Sequence, residues 1–271
     1  MSKFRILHLS DTHFRQKYGK QLEKMGIDYF PPHVLETFLK TMQFQDFDMV
    51  VITGDLVHEG KSKDYQAFQQ LINQYIPKSI PIYFALGNHD RRKSFYKGMK
   101  NLETPRNQEI PREEWQYDYV IDVKDYRFIF IDNFDPETRV ALISDNQGDW
   151  LKLQLERAEQ KKALLFMHHP LDVLIQKGLP HTLVGDDTRD VLQDDKLLGI
   201  FAGHVHMNRS TMIGKTPQWT APSIYCGFHP IDQKMYYTNH LGFNVITLDG
   251  EQVDVFSDII TPTKKYYRPI K

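Results

Sequence analysis

Five short apolar runs in this chain end in the same way, and this repetition limits its fold more than any other feature. Phe4–Leu9 leads to Asp11–Thr12–His13, Asp48–Thr53 to Gly54–Asp55, and Pro81–Leu86 to Gly87–Asn88–His89–Asp90. Ala163–Met167 leads to His168–His169–Pro170, and Leu198–Ala202 to Gly203–His204–Val205–His206. Runs of this length and apolarity read as buried strands. In open α/β sheets, ligand sites lie beyond the carboxyl ends of the strands. Each run should therefore deliver nitrogen or oxygen donors to one edge of the molecule. A G-H-x-H tetrapeptide alone carries little weight; five such loops in order carry much more.

The segments between these runs predict the layers. Pro31–Pro32 open a helix whose Val34, Leu35, Phe38, Leu39 and Met42 share one face. Lys61–Tyr75 predicts a second, with Tyr65, Phe68, Leu71, Ile72 and Tyr75 largely on one side. The order through residue 90 is β-α-β-α-β, which implies parallel pairing with right-handed crossovers. Arg15–Phe30 reads as a polar loop lining the site, and Arg91–Arg112 as an irregular flap over it. Tyr117–Val123 and Arg127–Asp132 read as a hairpin joined by Lys124–Asp125–Tyr126. Ser144–Gln147 has the form of a capping box and starts a helix to about Gln160, with Trp150, Leu151, Leu155 and Ala158 packed inward. Arg209–Ile213, Pro217–Ala221, Gly242–Thr247 and Gln252–Phe256 read as short antiparallel strands, with a turn at Asp249–Gly250. The expected architecture is α/β: a four-layer α/β/β/α sandwich of two mixed sheets with flanking helices. It should span residues 1–260, followed by an extended tail at 261–271.

Seven side chains on the five loops are candidate metal ligands: Asp11, His13, Asp55, Asn88, His168, His204 and His206. Seven donors exceed one tetrahedral zinc and suit two metals sharing a carboxylate. Asp55 is the natural bridge, because a carboxylate offers two oxygens with lone pairs. Two metals about 3.5–4 Å apart activate water and clamp an in-line displacement at phosphorus. The mixed N/O set favours Fe, Mn, Zn or Co over Ca.

In this order, D-x-H, G-D, G-N-H-D, H-H-P and G-H-x-H resemble the calcineurin-like metallophosphoesterase superfamily over roughly Phe4 to Thr220. The G-N-H-D-R run is similar to bacterial class III cyclic-nucleotide and glycerophosphodiester phosphodiesterases. The resemblance implies two divalent or trivalent transition-metal ions, of Fe, Mn or Zn. One would be held by Asp11, His13, Asp55 and His206, and the other by Asp55, Asn88, His168 and His204. It implies a bridging hydroxide as nucleophile and hydrolysis of a small phosphodiester. His89 would stabilise phosphate oxygens or protonate the leaving group, and Asp90 would orient the His89 ring. A phosphomonoesterase or a nuclease could use the same metals, and a non-catalytic scaffold could keep the fold alone. Purple acid phosphatases of the same superfamily carry a tyrosine where this chain has His58, so no tyrosinate–iron colour is expected.

The remaining histidines have plainer expectations. His58 reads as a surface-loop residue, His169 as lining the pocket without binding metal, and His8 as a core residue. His33, His181 and His240 default to the surface. His229, in Cys226–Gly227–Phe228–His229–Pro230, is a candidate for the site wall. Tyr225, Phe228, Tyr236 and Tyr237 read as packing, and Cys226 as buried and inert.

The charge balance bears on partners. With 34 basic and 35 acidic residues, net charge is -1, so no global field attracts nucleic acid or an anionic membrane. No apolar run approaches the ~20 residues that span a bilayer. A single cysteine fits a reducing compartment, and a cytoplasmic location is expected. The expected partner is a small phosphate-ester substrate, with assembly into a homo-oligomer left open.

Overall fold

The computed structural model describes residues 3–100, 116–171, 182–232 and 234–262, and the backbone of 267–269. The five ligand-bearing runs form strands within one residue of their expected ends: Phe4–Leu9, Met49–Thr53, Ile82–Ala85, Lys162–Phe166 and Leu197–Ala202. The first three lie side by side and parallel in one sheet. That sheet is completed by Leu241–Asp249, antiparallel to Phe4–Leu9, and by Gln252–Ile260 at the edge. The other two lie parallel in a second sheet, flanked by Tyr126–Phe130 and Thr216–Thr220. Tyr119–Val123 and Arg209–Ile213 close its two edges.

Side-chain alternation explains the layers. Phe128, Phe130, Leu164, Phe166 and Phe201 point from the second sheet into a shared core with Phe4 and Ile6 of the first. Their neighbours Ile129, Ala163, Leu165, Ile200 and Ala202 point the other way, onto Trp150, Leu151 and Leu155 of the Asp145–Glu156 helix. Successive strand residues face opposite sides, so one strand feeds two cores. Outside the first sheet, helices Pro31–Thr41 and Ser62–Tyr75 contribute Leu35, Phe38, Leu39, Tyr65, Phe68 and Ile72. The result is the expected four-layer α/β/β/α sandwich. Its middle carries a run of stacked rings across five strands. Tyr119 stacks on Phe130 at 4.4 Å, Phe130 on Phe166 at 5.2 Å, Phe166 on Phe201 at 5.0 Å and Phe201 on Trp219 at 5.2 Å.

Several expectations need correction. Thr216–Thr220 pairs antiparallel with Arg209–Ile213, as expected of these strands, but it also pairs parallel with Leu197–Ala202. Pairing partners across a sheet are set by packing, which local pattern does not carry. Arg15–Phe30 is not all loop: Gln21–Met25 is a helical turn closed by Gly26 at φ +67°. Within Arg91–Arg112, Arg92–Gly98 is helical, and residues 101–112 lie outside those described. The Ser144 capping box is present, but its helix ends at Glu156, short of Gln160. The final hairpin turns at Gly250–Glu251, one residue later than expected, and its strands are nine residues each. Gly227–Ile231 and Lys234–Thr238 form a further hairpin, and Tyr267–Pro269 pairs with it, so the expected tail contains a strand. Among the described residues, no helix is long and apolar enough to cross a membrane.

A strut joins the sheets beneath the loops. Arg92, almost wholly buried, makes a two-pronged ion pair with Asp132 at the end of a second-sheet strand, with Nε at 3.1 Å. Its remaining nitrogen donates to the carbonyls of Gly87 and Asp90.

Phe166, stacked on both sides, is the ring to remove first. Phe166→Ala should lower stability by about 3–5 kcal/mol, the usual cost of an aromatic-sized cavity. Equilibrium urea unfolding would show this as a lower midpoint with unchanged slope; a loss under ~1 kcal/mol would mean the core closes over the gap.

Candidate metal centre

The ligand loops leave their strands in strained backbone. Asp11, His13, Asp55, His204 and His206 all have positive φ, between 42° and 68°. Non-glycine residues avoid this region, at a cost of about 1–3 kcal/mol each, and clusters of them mark functional sites. Five of the seven candidate ligands are in this state, so the surrounding loops are built to aim them. Two glycines make room. Gly54 has φ +84°, and a Cβ there would lie 2.6 Å from His168 Nδ1. A Cβ on Gly203 would overlap Ser10 Oγ at 1.8 Å.

The donors converge. Asp11, His13 and His206 place ligand atoms within 4.8 Å of one another, and so do Asp11, Asp55 and His168. His206 Nε2 lies 3.2 Å from Asp11 Oδ1. Asp55 Oδ2 lies 3.5 Å from His13 Nε2 and 3.3 Å from His168 Nε2, so it stands between the two groups. Asp55 Oδ1 accepts the His89 backbone N–H at 2.8 Å, which leaves its second lone pair open. His204 joins through His168, ring centroids 5.2 Å apart. Asn88 is half-buried on the loop that hydrogen-bonds Asp55.

Four of these atoms explain why a metal fits. Asp11 Oδ1, Asn88 Oδ1, His168 Nε2 and His204 Nε2 are buried and have no hydrogen-bond partner among the described residues. A buried polar atom left this way costs about 1–3 kcal/mol. Metal cations would satisfy them. The far sides of the rings are already held: His168 Nδ1 donates to the Thr53 carbonyl and His206 Nδ1 to the Cys226 carbonyl, each at 2.7 Å. Such outer bonds fix the tautomer that turns a bare Nε2 toward a metal.

Electrostatics agree. Burial opposes charge throughout, yet His206 and His168 hold Asp11 well below the usual carboxylate range, and His168, His89 and His13 do the same for Asp55. Against its own burial, His168 is pushed up to about 9 by Asp55 and Asp11, and His206 is raised mainly by Asp11. Burial wins at His13, which is well lowered, and at His204, lowered to about 3. Two protonated imidazoles thus balance two carboxylates where cations would otherwise do so.

Other site residues depart from expectation. Asp90 does not orient His89. Its carboxylate accepts from the backbone N–H groups of Leu56, Val57 and Gly87 at 3.0–3.2 Å and from Tyr65 Oη at 2.9 Å. It clamps the Asp55 and Asn88 loops together. The carboxylate beside the His89 ring is Glu59, 3.6 Å from Nδ1. His58 is no surface histidine: it stacks on His89 at 4.5 Å and meets His13 Nδ1 at 3.0 Å. Burial lowers its pKa to about 4. His169 is buried, stacked on Phe134 and 4.2 Å from the His204 ring, in keeping with a place in the pocket wall. His8 is a core residue bonded to Thr53 Oγ1 at 2.9 Å. His229 is exposed; its neighbour Phe228 instead stacks on His206 at 4.3 Å. Tyr225 packs 4.7 Å from the His13 ring, so these aromatics wall the centre. Cys226 is a free, buried thiol. His33 is exposed, His240 is half-buried, and His181 lies outside the described residues. Arg92 and Glu59 were missed; the polar, irregular look of their segments hides pairing that exists only across the fold.

Comparisons place the chain. The calcineurin-like phosphoesterase family model matches residues 4–208. A probable glycerophosphodiester phosphodiesterase GpdQ of Arcobacter nitrofigilis is 25% identical over 234 residues, 80% of this chain and 77% of that protein. The 3',5'-cyclic adenosine monophosphate phosphodiesterase CpdA of Pseudomonas aeruginosa is 24% identical over 235 residues, 83% of this chain and 78% of that protein. The glycerophosphodiester phosphodiesterase GpdQ of Enterobacter lignolyticus is 28% identical over 165 residues, 61% of this chain but 56% of its own length. Among solved structures, the purple acid phosphatase PPD1 of yellow lupin superposes with TM-score 0.68 at 18% identity, over 98% of this chain and 53% of its own. A dimetal phosphatase from Danio rerio gives TM-score 0.62 at 14% identity, covering 98% of each chain. The structural likenesses carry the fold alone; with the family match and the converging donors, this chain belongs to the calcineurin-like phosphoesterases and is a metal-dependent phosphoester hydrolase.

Proposed function

We propose that this enzyme hydrolyses a small phosphodiester, a cyclic nucleotide or a glycerophosphodiester, at a two-metal centre. The observation that carries the reading is the set of four partnerless buried donors beside Asp55. Relatives named as cyclic-nucleotide and glycerophosphodiester phosphodiesterases support the substrate class. One metal would be held by Asp11, His13, Asp55 and His206, and the other by Asp55, Asn88, His168 and His204. Iron, manganese or zinc suits this imidazole and carboxylate set. Such a pair supplies an activated water and polarises the phosphoryl oxygens.

The chain's own residues do the rest. Asp55 Oδ2 sets the spacing of the two halves, and the Thr53 and Cys226 carbonyls hold His168 and His206 in the metal-binding tautomer. Tyr225 and Phe228 keep water from one wall of the centre. His89 is partly exposed beside it, with Nδ1 toward Glu59, which leaves Nε2 for the substrate. There it donates a proton to the leaving oxygen. The free, buried Cys226 supports a cytoplasmic setting. A hydrolysis screen of the manganese-loaded protein tests the substrate class. It should include cyclic nucleotides, glycerophosphodiesters, monoesters and a short oligonucleotide. Preference for a monoester or the oligonucleotide would overturn the diester reading.

Three outcomes follow from the geometry. Elemental analysis after reconstitution should give two metals per chain, and Asp55→Asn should bind fewer; one metal in the parent protein would refute the shared-carboxylate arrangement. His168 is protonated below about 9 in the metal-free protein, so a metal must displace that proton. Affinity should therefore rise with pH up to about 9, with proton release visible by titration calorimetry in buffers of different ionisation enthalpy. His89→Ala should keep both metals and lose ~10²–10⁴-fold in rate, as for a general acid. The loss should shrink for a nitrophenolate leaving group, which departs without a proton; an equal loss for all leaving groups would rule out the acid role.

A further inference from the structure

His58 is a ring at this centre whose place the metal assignment does not use. Three candidate ligands have their outer nitrogen visibly engaged. His168 and His206 each donate Nδ1–H to a backbone carbonyl. His13 differs: its Nδ1 lies 3.0 Å from His58 Nδ1. Two imidazole nitrogens at that distance share one proton, and the rest of the network says which ring owns it. His13 Nε2 faces Asp55 Oδ2, Asp11 Oδ1 and His206 Nε2, at 3.5, 3.8 and 3.2 Å. To bind metal, that nitrogen must be bare, so the His13 proton sits on Nδ1. His58 Nδ1 is then the acceptor, and the His58 proton sits on Nε2.

That proton has a partner. His58 Nε2 lies 2.8 Å from the end of the Gln21 carboxamide, on the Gln21–Met25 helical turn. The structure places the amide nitrogen there, and two N–H donors cannot face each other, so a proton on His58 Nε2 requires the amide turned over to present its oxygen; amide oxygen and nitrogen are assigned from the network. Tyr225 Oη lies 3.4 Å from that amide atom and gives its own proton to Met25 Sδ at 3.0 Å. The order is therefore His13 to His58 to Gln21, every proton pointing away from the metals. The ring is held in plane by its stack on His89, at 4.5 Å and 21°.

We propose that His58 is a positioning residue: it accepts the His13 Nδ1 proton, passes the polarity to Gln21, and so fixes the tautomer and aim of a metal-binding imidazole. Most such histidines are held by a carboxylate or carbonyl, and losing the outer partner typically costs 10–100-fold in metal affinity. The inference rests on His13 being a ligand, as in the proposed function.

The test uses metal affinity, read by chelator competition on the full chain, and not turnover. His58→Phe keeps a ring to stack on His89 and removes the acceptor. It should weaken the metal held by His13 ~10–100-fold with unchanged circular dichroism. His58→Asn offers an acceptor near the Nδ1 position and should recover most of that loss. In the zinc-loaded parent, ring-nitrogen NMR should show His58 protonated on Nε2 and bare on Nδ1, a signature that does not depend on any variant folding. Parent-like affinity in His58→Phe would overturn the relay while leaving the metal centre intact. Equal loss in both variants would overturn it in favour of His58 as a ligand. A proton on His58 Nδ1 would reverse the relay and refute it. A parent protein that binds no metal would fail the metal-centre reading itself, and this proposal with it.

Discussion

Two wholly buried carboxylates, Asp11 and Asp55, set the terms for everything around them. Neither could stay ionised in such a place without positive charge close by. The nearest candidates are imidazoles, at 3.2 to 3.9 Å. Protons on His168 and His206 answer the charge in the metal-free state. Metals would answer it better, because they also satisfy the bare nitrogens and the Asn88 oxygen. The site is thus a cavity in the charge balance of the core, and the two-sheet scaffold is arranged to hold it open.

Holding it open requires both sheets at once. Asp11, His13, Asp55 and Asn88 leave strands of the first sheet; His168, His204 and His206 leave strands of the second. A slip of either sheet would separate the two groups. The stacked rings from Tyr119 to Trp219 bind the second sheet into the common core, and the Arg92–Asp132 pair ties its strand ends to the Gly87–Asp90 loop. Asp90 then binds that loop to the one after Asp55. Backbone strain at five ligand positions can persist because these contacts over-determine the loops.

The short helical turn at Gln21–Met25 shows how a plain-looking segment enters the chemistry. In sequence it is polar and broken by glycines at both ends. In the fold, Tyr18 donates to the His13 carbonyl at 2.7 Å, Gln21 meets His58, and Met25 lies under Tyr225. The segment is a second layer around His13, built from residues with no motif of their own.

What the sequence determined by itself was the strand runs, the seven donors at their ends, and the helix faces from Val34 to Met42 and from Tyr65 to Tyr75. These are local: a helical period and a polar break after an apolar run need no knowledge of distant chain. The parallel partner of Thr216–Thr220, the place of Asp55 between the two groups of donors, the half-burial of His58 and the turn of Asp90 away from His89 were decided only by tertiary structure. Each depends on where residues distant along the chain come to rest, such as Ile200 against Gln218 or His13 against His58. Hydrogen bonds act over about 3 Å of space and are indifferent to distance along the chain, so no local pattern carries them.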